Sequence, residues 1–217
     1  EFTEIGRDME ESKKAARYLQ DAGYDMLNAD NGTYDSWYWA HPPMYMPLAC
    51  NLEDAKFIKK HVNIPVFCAG RMENPNTCVE VIKNNEIDAV SIGRQFLADA
   101  EYVTKVKEGR LKDVRPCLAC HNGCFANGQK PNGAGATSAP WGNGKCAINP
   151  YTLNENARDL KPLKEKKTIA VIGAGIAGME FARIATLRGH DVTIYEKSNE
   201  IGGVFNAAAA PKFKEKD

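Results

Sequence analysis

The sequence predicts an α/β protein with parallel sheets, and three observations carry this prediction. Short apolar runs alternate with helical patterns over residues 7–109, as expected for strands joined by crossover helices. Two of these runs, at 64–69 and 89–92, are each followed directly by a Gly-Arg pair. A further apolar run, at 168–172, leads into a glycine-rich turn of the kind that opens a βαβ unit.

The composition is that of an ordinary globular chain. Its 217 residues carry 28 Lys and Arg against 28 Asp and Glu, so we expect neither nucleic acid nor membrane as a partner. The seven cysteines are an odd number and four are grouped, which favours metal binding over a disulfide framework. The chain opens at Glu1 and stops soon after its last predicted strand, so we expect an internal piece of a longer protein.

The first half of the chain reads as a series of β–α repeats. Helices are expected over 7–22, 51–61, 74–83 and 99–108, and strands over 24–29, 64–69 and 89–92. Asn51 suits a helix cap, and Pro75 suits the first turn of a helix. The strand at 64–69 is apolar throughout, which indicates burial on both faces.

Each Gly-Arg pair follows a predicted strand, where a barrel places its phosphate-binding loops. Backbone N–H groups at Gly70-Arg71 and Gly93-Arg94 could hold a phosphate, with a guanidinium as clamp. The alternative for each pair is an ordinary helix-start turn with a surface arginine. Two pairs about one β–α unit apart favour the phosphate site.

Residues 30–49 form an aromatic loop after the first predicted strand. So many rings on one loop indicate a wall around a flat ring or an acyl substrate. Tyr34 or His41 could donate a proton or a hydrogen bond to such a ligand. The alternative is a packed loop that covers the rim of a barrel.

Three cysteines are spaced C-x2-C-x3-C at Cys117, Cys120 and Cys124, and Cys146 follows after 21 residues. Four thiolates can bind either an iron–sulfur cluster or a structural zinc, and spacing alone does not separate the two. The insert at 125–145 is rich in Gly, Pro and Asn and is expected to be a flexible excursion. His121 lies inside the motif and is expected near the ligands rather than among them.

A dinucleotide fingerprint follows the charged linker 161–167. A strand at 168–172 precedes Gly173-x-Gly175-x-x-Gly178, and a helix and a second strand follow. Glu196 ends that strand 18 residues past Gly178, where a ribose hydroxyl would be bound. A second glycine pair, Gly202-Gly203, comes shortly afterwards.

Four stretches give the chain a resemblance to a known family: I-P-V-F-C-A-G-R-M, I-D-A-V-S-I-G-R-Q-F-L-A-D, R-P-C-L-A-C-H-N-G-C and C-A-I-N-P. They resemble the NADH:flavin oxidoreductase family related to old yellow enzyme. The similarity is greatest to its multi-domain iron–sulfur branch, which includes 2,4-dienoyl-CoA reductase, 2-enoate reductase and bile-acid-inducible oxidoreductase members.

The resemblance implies three parts. Residues 1–114 would be the C-terminal part of an FMN-binding TIM (β/α)8 barrel, with Gly70-Arg71 and Gly93-Arg94 as its phosphate loops. Residues 115–160 would carry a [4Fe-4S] cluster on Cys117, Cys120, Cys124 and Cys146, although the insert is longer than relatives usually carry. Residues 161–217 would be a linker and the N-terminal part of a Rossmann-type domain, where Gly202-Gly203 is more typical of FAD than of NAD binding.

The implied activity is the reduction of activated C=C bonds in a small unsaturated substrate of the 2-enoate or enoyl-CoA type. NAD(P)H would be the donor, and electrons would pass from FAD to the cluster, to FMN and to the substrate. We expect a cytoplasmic homo-oligomer, with this piece alone inactive. The same architecture acting on steroids or bile-acid derivatives, or as an amine dehydrogenase, is one alternative. A zinc-stabilised binding module without redox activity is another.

Overall fold

The computed structural model describes residues 6–125, 145–157 and 160–214. It divides into two compact units, Glu1–Leu153 and Asn154–Asp217, and each is described by itself. The predicted excursion at 125–145 falls almost wholly outside the described residues. No helix among the described residues is both long and apolar enough to cross a bilayer.

The first unit is a three-stranded parallel sheet with helices between its strands. The strands are β1 (Leu27–Ala29), β2 (Val66–Cys68) and β3 (Ala89–Val90), in the order β1-β2-β3. Leu27 pairs with Val66, and Phe67 pairs with Ala89. The helices are α1 (Met9–Asp21), α2 (Trp37–Ala40), α3 (Leu52–Lys59), α4 (Pro75–Lys83), α5 (Arg94–Ala98) and α6 (Tyr102–Lys107).

The core of this unit lies between the sheet and the helices that cross over it. Val66 and Cys68 of β2 point to one face of the sheet and are fully buried, whereas Phe67 on the other face is only half-buried. The prediction that this strand is buried on both faces is therefore wrong for the face that carries Phe67. The other buried apolar side chains of this cluster are Ala16, Leu52, Ala55, Ile58, Val62, Met72, Cys78, Val81 and Ile87. Because the strands are parallel, the segments that follow their carboxyl ends meet at one edge of the sheet.

The second unit is a β–α–β unit with one more helix. Strands β4 (Thr168–Ile172) and β5 (Asp191–Tyr195) are parallel and pair along their whole length. They are joined by α7 (Ile176–Leu187), and α8 (Val204–Ala208) follows β5. Glycines stand at the turn from β4 into α7, as the fingerprint predicted.

Every predicted strand and helix is present, but the elements of the first unit are shorter than expected and three helices were missed. The short helices are α2 inside the aromatic loop, α5 directly after Gly93, and α8 after Gly203. Helices of four or five residues contain little more than one turn, so they show no apolar periodicity that a sequence pattern would reveal.

Candidate active site

A cleft of about 520 Å³ opens at the carboxyl edge of β2 and β3. It brings together segments that are far apart in sequence: the aromatic loop, both Gly-Arg turns and the cysteine segment. The predicted site residues that line it are His41, Gly70, Arg71, Gly93, Arg94, Cys117 and Cys124. Tyr34 is not among the lining residues.

At the first Gly-Arg turn, the backbone of Gly70 lies very close to the side chain of Asn51. Gly70 has a φ of +107°, and a Cβ at this position would lie 2.4 Å from Nδ2 of Asn51. Asn51 is only 1% exposed, and its Nδ2 donates to the carbonyl oxygen of Ala69 at 3.1 Å. Only glycine fits both this conformation and this contact.

The guanidinium of Arg71 is directed at protein groups rather than into open space. Its Nη1 donates to the carbonyl oxygens of Met44 at 3.1 Å and Met46 at 2.8 Å, and its Nε pairs with Glu73 at 2.8 Å. This side chain therefore fastens the aromatic loop to the turn. The backbone N–H groups of Gly70 and Arg71 donate to no acceptor within the described residues.

Arg94, at the second turn, is the first residue of α5 and lies between two cavities. Its Nη1 donates to the carbonyl oxygen of Pro42 at 2.8 Å and also contacts Nε2 of His121. In the described part of the chain, its Nε and Nη2 donate to no protein acceptor. Burial, and then the charge of Arg94, lower the pKa of His121 to about 4, so its imidazole is neutral and accepts this bond.

All four cysteines of the motif border one small cavity next to the cleft, together with Arg94 and His121. Within the described residues, no three His, Cys, Asp or Glu side chains meet closely enough to hold a single metal ion. The thiols therefore surround a space instead of meeting at a point. Burial raises the pKa of the Cys117 and Cys124 thiols, and the nearby charge of Arg94 partly offsets that effect.

The segment that carries the cysteines has an unusual backbone. Ala119 and His121 both have positive φ angles, of 48° and 58°. Gly123 lies against the stretch of backbone that carries Cys146, and a Cβ on Gly123 would be 2.5 Å from the carbonyl oxygen of Lys145. These tight turns let three cysteines close in sequence face the same cavity.

The aromatic loop presents His41 to the cleft. Its ring lies 4.4 Å from that of Trp37 and 4.5 Å from that of Phe125, measured between centroids. Burial and then the charge of Arg94 lower the pKa of His41, while Asp30 opposes them, so the imidazole is neutral at physiological pH. Tyr34 stacks on Trp37 at 5.5 Å and is 89% exposed.

Three residues of this region were not predicted from sequence. Asn51 was seen only as a helix cap, but it forms the wall behind Gly70. Phe125, the last residue before the undescribed part of the insert, lines the cleft. Gln95 is buried beside Arg94, and its position directly after a Gly-Arg pair was the only available signal.

In the second unit, the fingerprint glycines have three different environments. Gly173 has a φ of +99°, which glycine adopts at little cost. A Cβ on Gly178 would lie 2.1 Å from the carbonyl oxygen of Gly173, so the helix packs directly on the turn. A Cβ on Gly175 would meet nothing within 4 Å, which leaves open space in front of the start of α7.

Glu196 and the second glycine pair complete this turn. The carboxylate of Glu196 accepts from the N–H of Ala174 at 2.7 Å and of Ser198 at 3.0 Å. These backbone bonds lower the pKa of Glu196 to about 2. Gly202 donates its N–H to the carbonyl oxygen of Ala174 at 2.8 Å, and Gly203 has a φ of +60°.

Fold and sites together define a chain of two α/β parts. One has a cleft lined by both Gly-Arg turns beside four cysteines, and the other has a dinucleotide fingerprint. The chain belongs to the NADH:flavin oxidoreductase / NADH oxidase family, which matches residues 1–113. A NAD(P)-binding Rossmann-like domain matches residues 171–215. The predicted family is confirmed, as is the combination of a barrel part with a Rossmann-like region.

Similar proteins match over the full chain but are much longer. A cinnamate reductase of Clostridium sporogenes is 42% identical over 100% of the chain and 31% of its own length. An NADH oxidase of Thermoanaerobacter brockii is 34% identical over 100% of the chain and 32% of its own length. A solved complex of 2-naphthoyl-CoA reductase with 2-naphthoyl-CoA is 30% identical, with a TM-score of 0.84 over 100% of the chain and 32% of that protein. The chain thus spans about a third of the length of these relatives.

Proposed function

We propose that the chain forms part of an NAD(P)H-dependent flavin and iron–sulfur oxidoreductase that reduces activated C=C bonds of 2-enoates or enoyl-CoA thioesters. One observation carries the proposal: a single cleft is lined by both Gly-Arg turns, by His41 and by two of the four grouped cysteines. A cofactor bound there would lie next to the cysteine cavity. Family membership supports FMN as that cofactor.

The cleft fits the phosphate of FMN. Backbone N–H groups of Gly70 and Arg71 have no partner among the described residues, and α5 begins at Arg94, which lines the same cleft. Free N–H groups beside a cation are the usual donors for a phosphate. Arg94 would be the side-chain clamp, because the guanidinium of Arg71 is already engaged with loop carbonyls and Glu73.

The cysteine cavity fits a [4Fe-4S] cluster. The four thiols border one cavity, and in a [4Fe-4S] cluster each would bind a different iron. Cys117, Cys120, Cys124 and Cys146 would be the ligands, and Arg94 would lie beside the cluster.

The fingerprint of the second unit fits the pyrophosphate of a dinucleotide, which we propose to be FAD. The open space at Gly175 lets a phosphate approach the start of α7. Glu196 reaches the same turn and would bind ribose hydroxyls. The backbone of Gly202-Gly203 lies beside Gly175, where side chains would block access.

For the substrate, we propose an unsaturated acyl group conjugated to an aromatic ring. The names of two relatives, a cinnamate reductase and a 2-naphthoyl-CoA reductase, support this class. Bound FMN would supply hydride to the β-carbon, which is the chemistry that the flavin brings, and a side-chain acid would supply the proton to the α-carbon. His41, neutral and facing the cleft, would donate a hydrogen bond to the acyl oxygen, and the ring of Phe125, which also lines the cleft, would flank a planar group.

Anaerobic purification of the full-length enzyme that would contain this chain tests this proposal. We expect a brown protein that contains FMN, FAD, iron and acid-labile sulfide, and that reduces cinnamate with NADH or NADPH. The saturated product, phenylpropanoate, is the matched control and should not oxidise the reduced protein. A colourless protein with stoichiometric zinc would refute the proposed redox function and support a zinc-stabilised binding module instead. A brown protein active only on amines or steroids would keep the cofactors and correct the substrate.

A further inference from the structure

The short helix α5 binds the start of the cysteine segment through the side chain of Gln95. Gln95 is 3% exposed, and its Nε2 donates to the carbonyl oxygen of Arg115 at 2.9 Å. Its Oε1 accepts from the backbone N–H of Cys117 at 2.8 Å. Because both ends of the amide are used, the two bonds fix the position and the direction of the backbone at Cys117.

Asn149 fastens the returning limb, which carries Cys146, to the same helix. It is 8% exposed, and its Nδ2 donates to the carbonyl oxygen of Leu97 in α5 at 2.9 Å. Its Oδ1 accepts from Nη1 of Arg115 at 3.1 Å and from the N–H of Tyr151 at 3.1 Å. This one amide therefore joins both limbs of the cysteine segment to α5.

A buried ion pair supports the same junction. Asp99, just past the end of α5, accepts from Nζ of Lys105 at 2.7 Å and from the N–H of Arg115 at 2.9 Å. Asp99 and Lys105 are both buried. Although burial opposes it, the bonds from Lys105 and Arg115 lower the pKa of Asp99, so the carboxylate stays charged and keeps its partners.

We infer that Gln95 and Asn149 are positioning residues that hold the cysteine cavity at a fixed place relative to the second Gly-Arg turn. Both side chains bind α5 or belong to it, and α5 begins with Arg94, which lines the cleft and the cavity alike. This inference rests on the proposed function, since it assigns these amides the role of keeping the cluster in a fixed position relative to FMN. Groups that orient ligands in this way commonly change metal content when they are replaced.

Two variants and one matched control test the inference in the anaerobically purified protein. Gln95→Ala removes both bonds, and Gln95→Glu keeps the shape and the acceptor but turns a carboxylate oxygen towards the carbonyl of Arg115. Gln20→Ala is the control, because Oε1 of Gln20 accepts from the N–H of Asn63 at 2.6 Å, far along the chain from the cysteines. The readouts are amide hydrogen exchange, iron content and the reduction potential of the cluster.

Hydrogen exchange shows whether Gln95 holds the backbone at residues 115–119 in place. This measurement does not depend on whether metal is bound. In Gln95→Ala we expect the N–H of Cys117 to exchange about tenfold faster, since one backbone bond is lost. The control should change exchange only near Asn63. Unchanged exchange over residues 115–119 in Gln95→Ala would overturn the inference.

Iron content and reduction potential show whether the contact between Gln95 and Cys117 affects the cluster. We expect Gln95→Ala to lose at least half of its iron, and Gln95→Glu to lower the reduction potential, because it places a negative charge next to the N–H of Cys117. Faster exchange with unchanged iron and potential would also overturn the positioning role. A wild-type protein without iron would instead refute the proposed function, and exchange would still decide whether Gln95 holds the segment.

Discussion

Gly70 packs against the side-chain amide of Asn51 so closely that a Cβ on Gly70 would lie 2.4 Å from Nδ2 of that asparagine. Asn51 has little room to move away. It donates to the carbonyl oxygen of Ala69 and accepts from Nδ2 of Asn31 at 3.3 Å. The glycine of the first turn is therefore required both by its neighbour and by its own φ of +107°.

Gly70→Ala should disrupt the first turn. We expect a loss of about 3 kcal/mol or more in the free energy of unfolding, from backbone strain and overpacking together, and a loss of bound FMN. Gly109→Ala is the control, because Gly109 has a φ of +72° but open space around its Cβ position. That variant should cost about 1–2 kcal/mol and keep its FMN. Urea unfolding and flavin content measure both effects, and equal losses in the two variants would contradict the close contact.

The two arginines of the Gly-Arg pairs should have different roles. Arg94→Lys should weaken FMN binding about tenfold, because a lysine keeps the charge but not the planar set of donors. It should lower stability by only about 1 kcal/mol, because only the bonds of Nη1 to Pro42 and His121 are lost within the described residues. Arg71→Lys should lower stability by about 2 kcal/mol, because Arg71 bonds loop carbonyls and Glu73. FMN titration and urea unfolding separate the two cases. The reverse pattern would show that Arg71 is the clamp.

Replacing two glycines of the fingerprint by alanine should have different effects, one on stability and the other on FAD binding. Gly178→Ala should destabilise the second unit, because its Cβ would meet the carbonyl oxygen of Gly173 at 2.1 Å. Gly175→Ala should fold normally, since its Cβ meets no protein atom within 4 Å, but should bind FAD poorly. Thermal unfolding and FAD content are the measurements. Normal FAD binding in Gly175→Ala would argue against a pyrophosphate at this position.

Glu196 should make a contribution to stability that depends on pH. Backbone bonds lower its pKa from 4.5 to about 2, so they stabilise the fold fully above pH 4.5. The contribution should be lost as the pH falls towards 2. Glu196→Gln should therefore melt at a lower temperature than the wild type at pH 7, and the difference should shrink at pH 3. A difference that is independent of pH would show that the charge of Glu196 does not matter.

His41 and Tyr34 are the two candidates for a chemical role in the aromatic loop. His41→Phe should lower turnover of cinnamate about tenfold or more while FMN content stays normal, because the ring contacts survive and the hydrogen bond does not. Tyr34→Phe should have a small effect, since Tyr34 is 89% exposed and does not line the cleft. Steady-state kinetics distinguish the two. A large loss in Tyr34→Phe alone would move the role to the tyrosine.

Local patterns in the sequence were enough to predict the repeats, the Gly-Arg turns and the fingerprint. Each of these depends on residues that are neighbours along the chain, such as the glycines around α7 or the apolar run of β2. The use of Arg71 was not predictable, because its carbonyl partners lie at 44 and 46 and only the folded loop brings them within reach. The contacts of Gln95 were hidden for the same reason, as they join α5 to a segment about twenty residues away.

The side chain of Arg94 belongs to the walls of both cavities. One amino-acid position is thus shared by two sites that we propose to bind different cofactors. A genetic selection for loss of flavin and an independent selection for loss of iron should both recover alleles at this codon, whereas alleles at Asn51 or Cys146 should appear in only one of them.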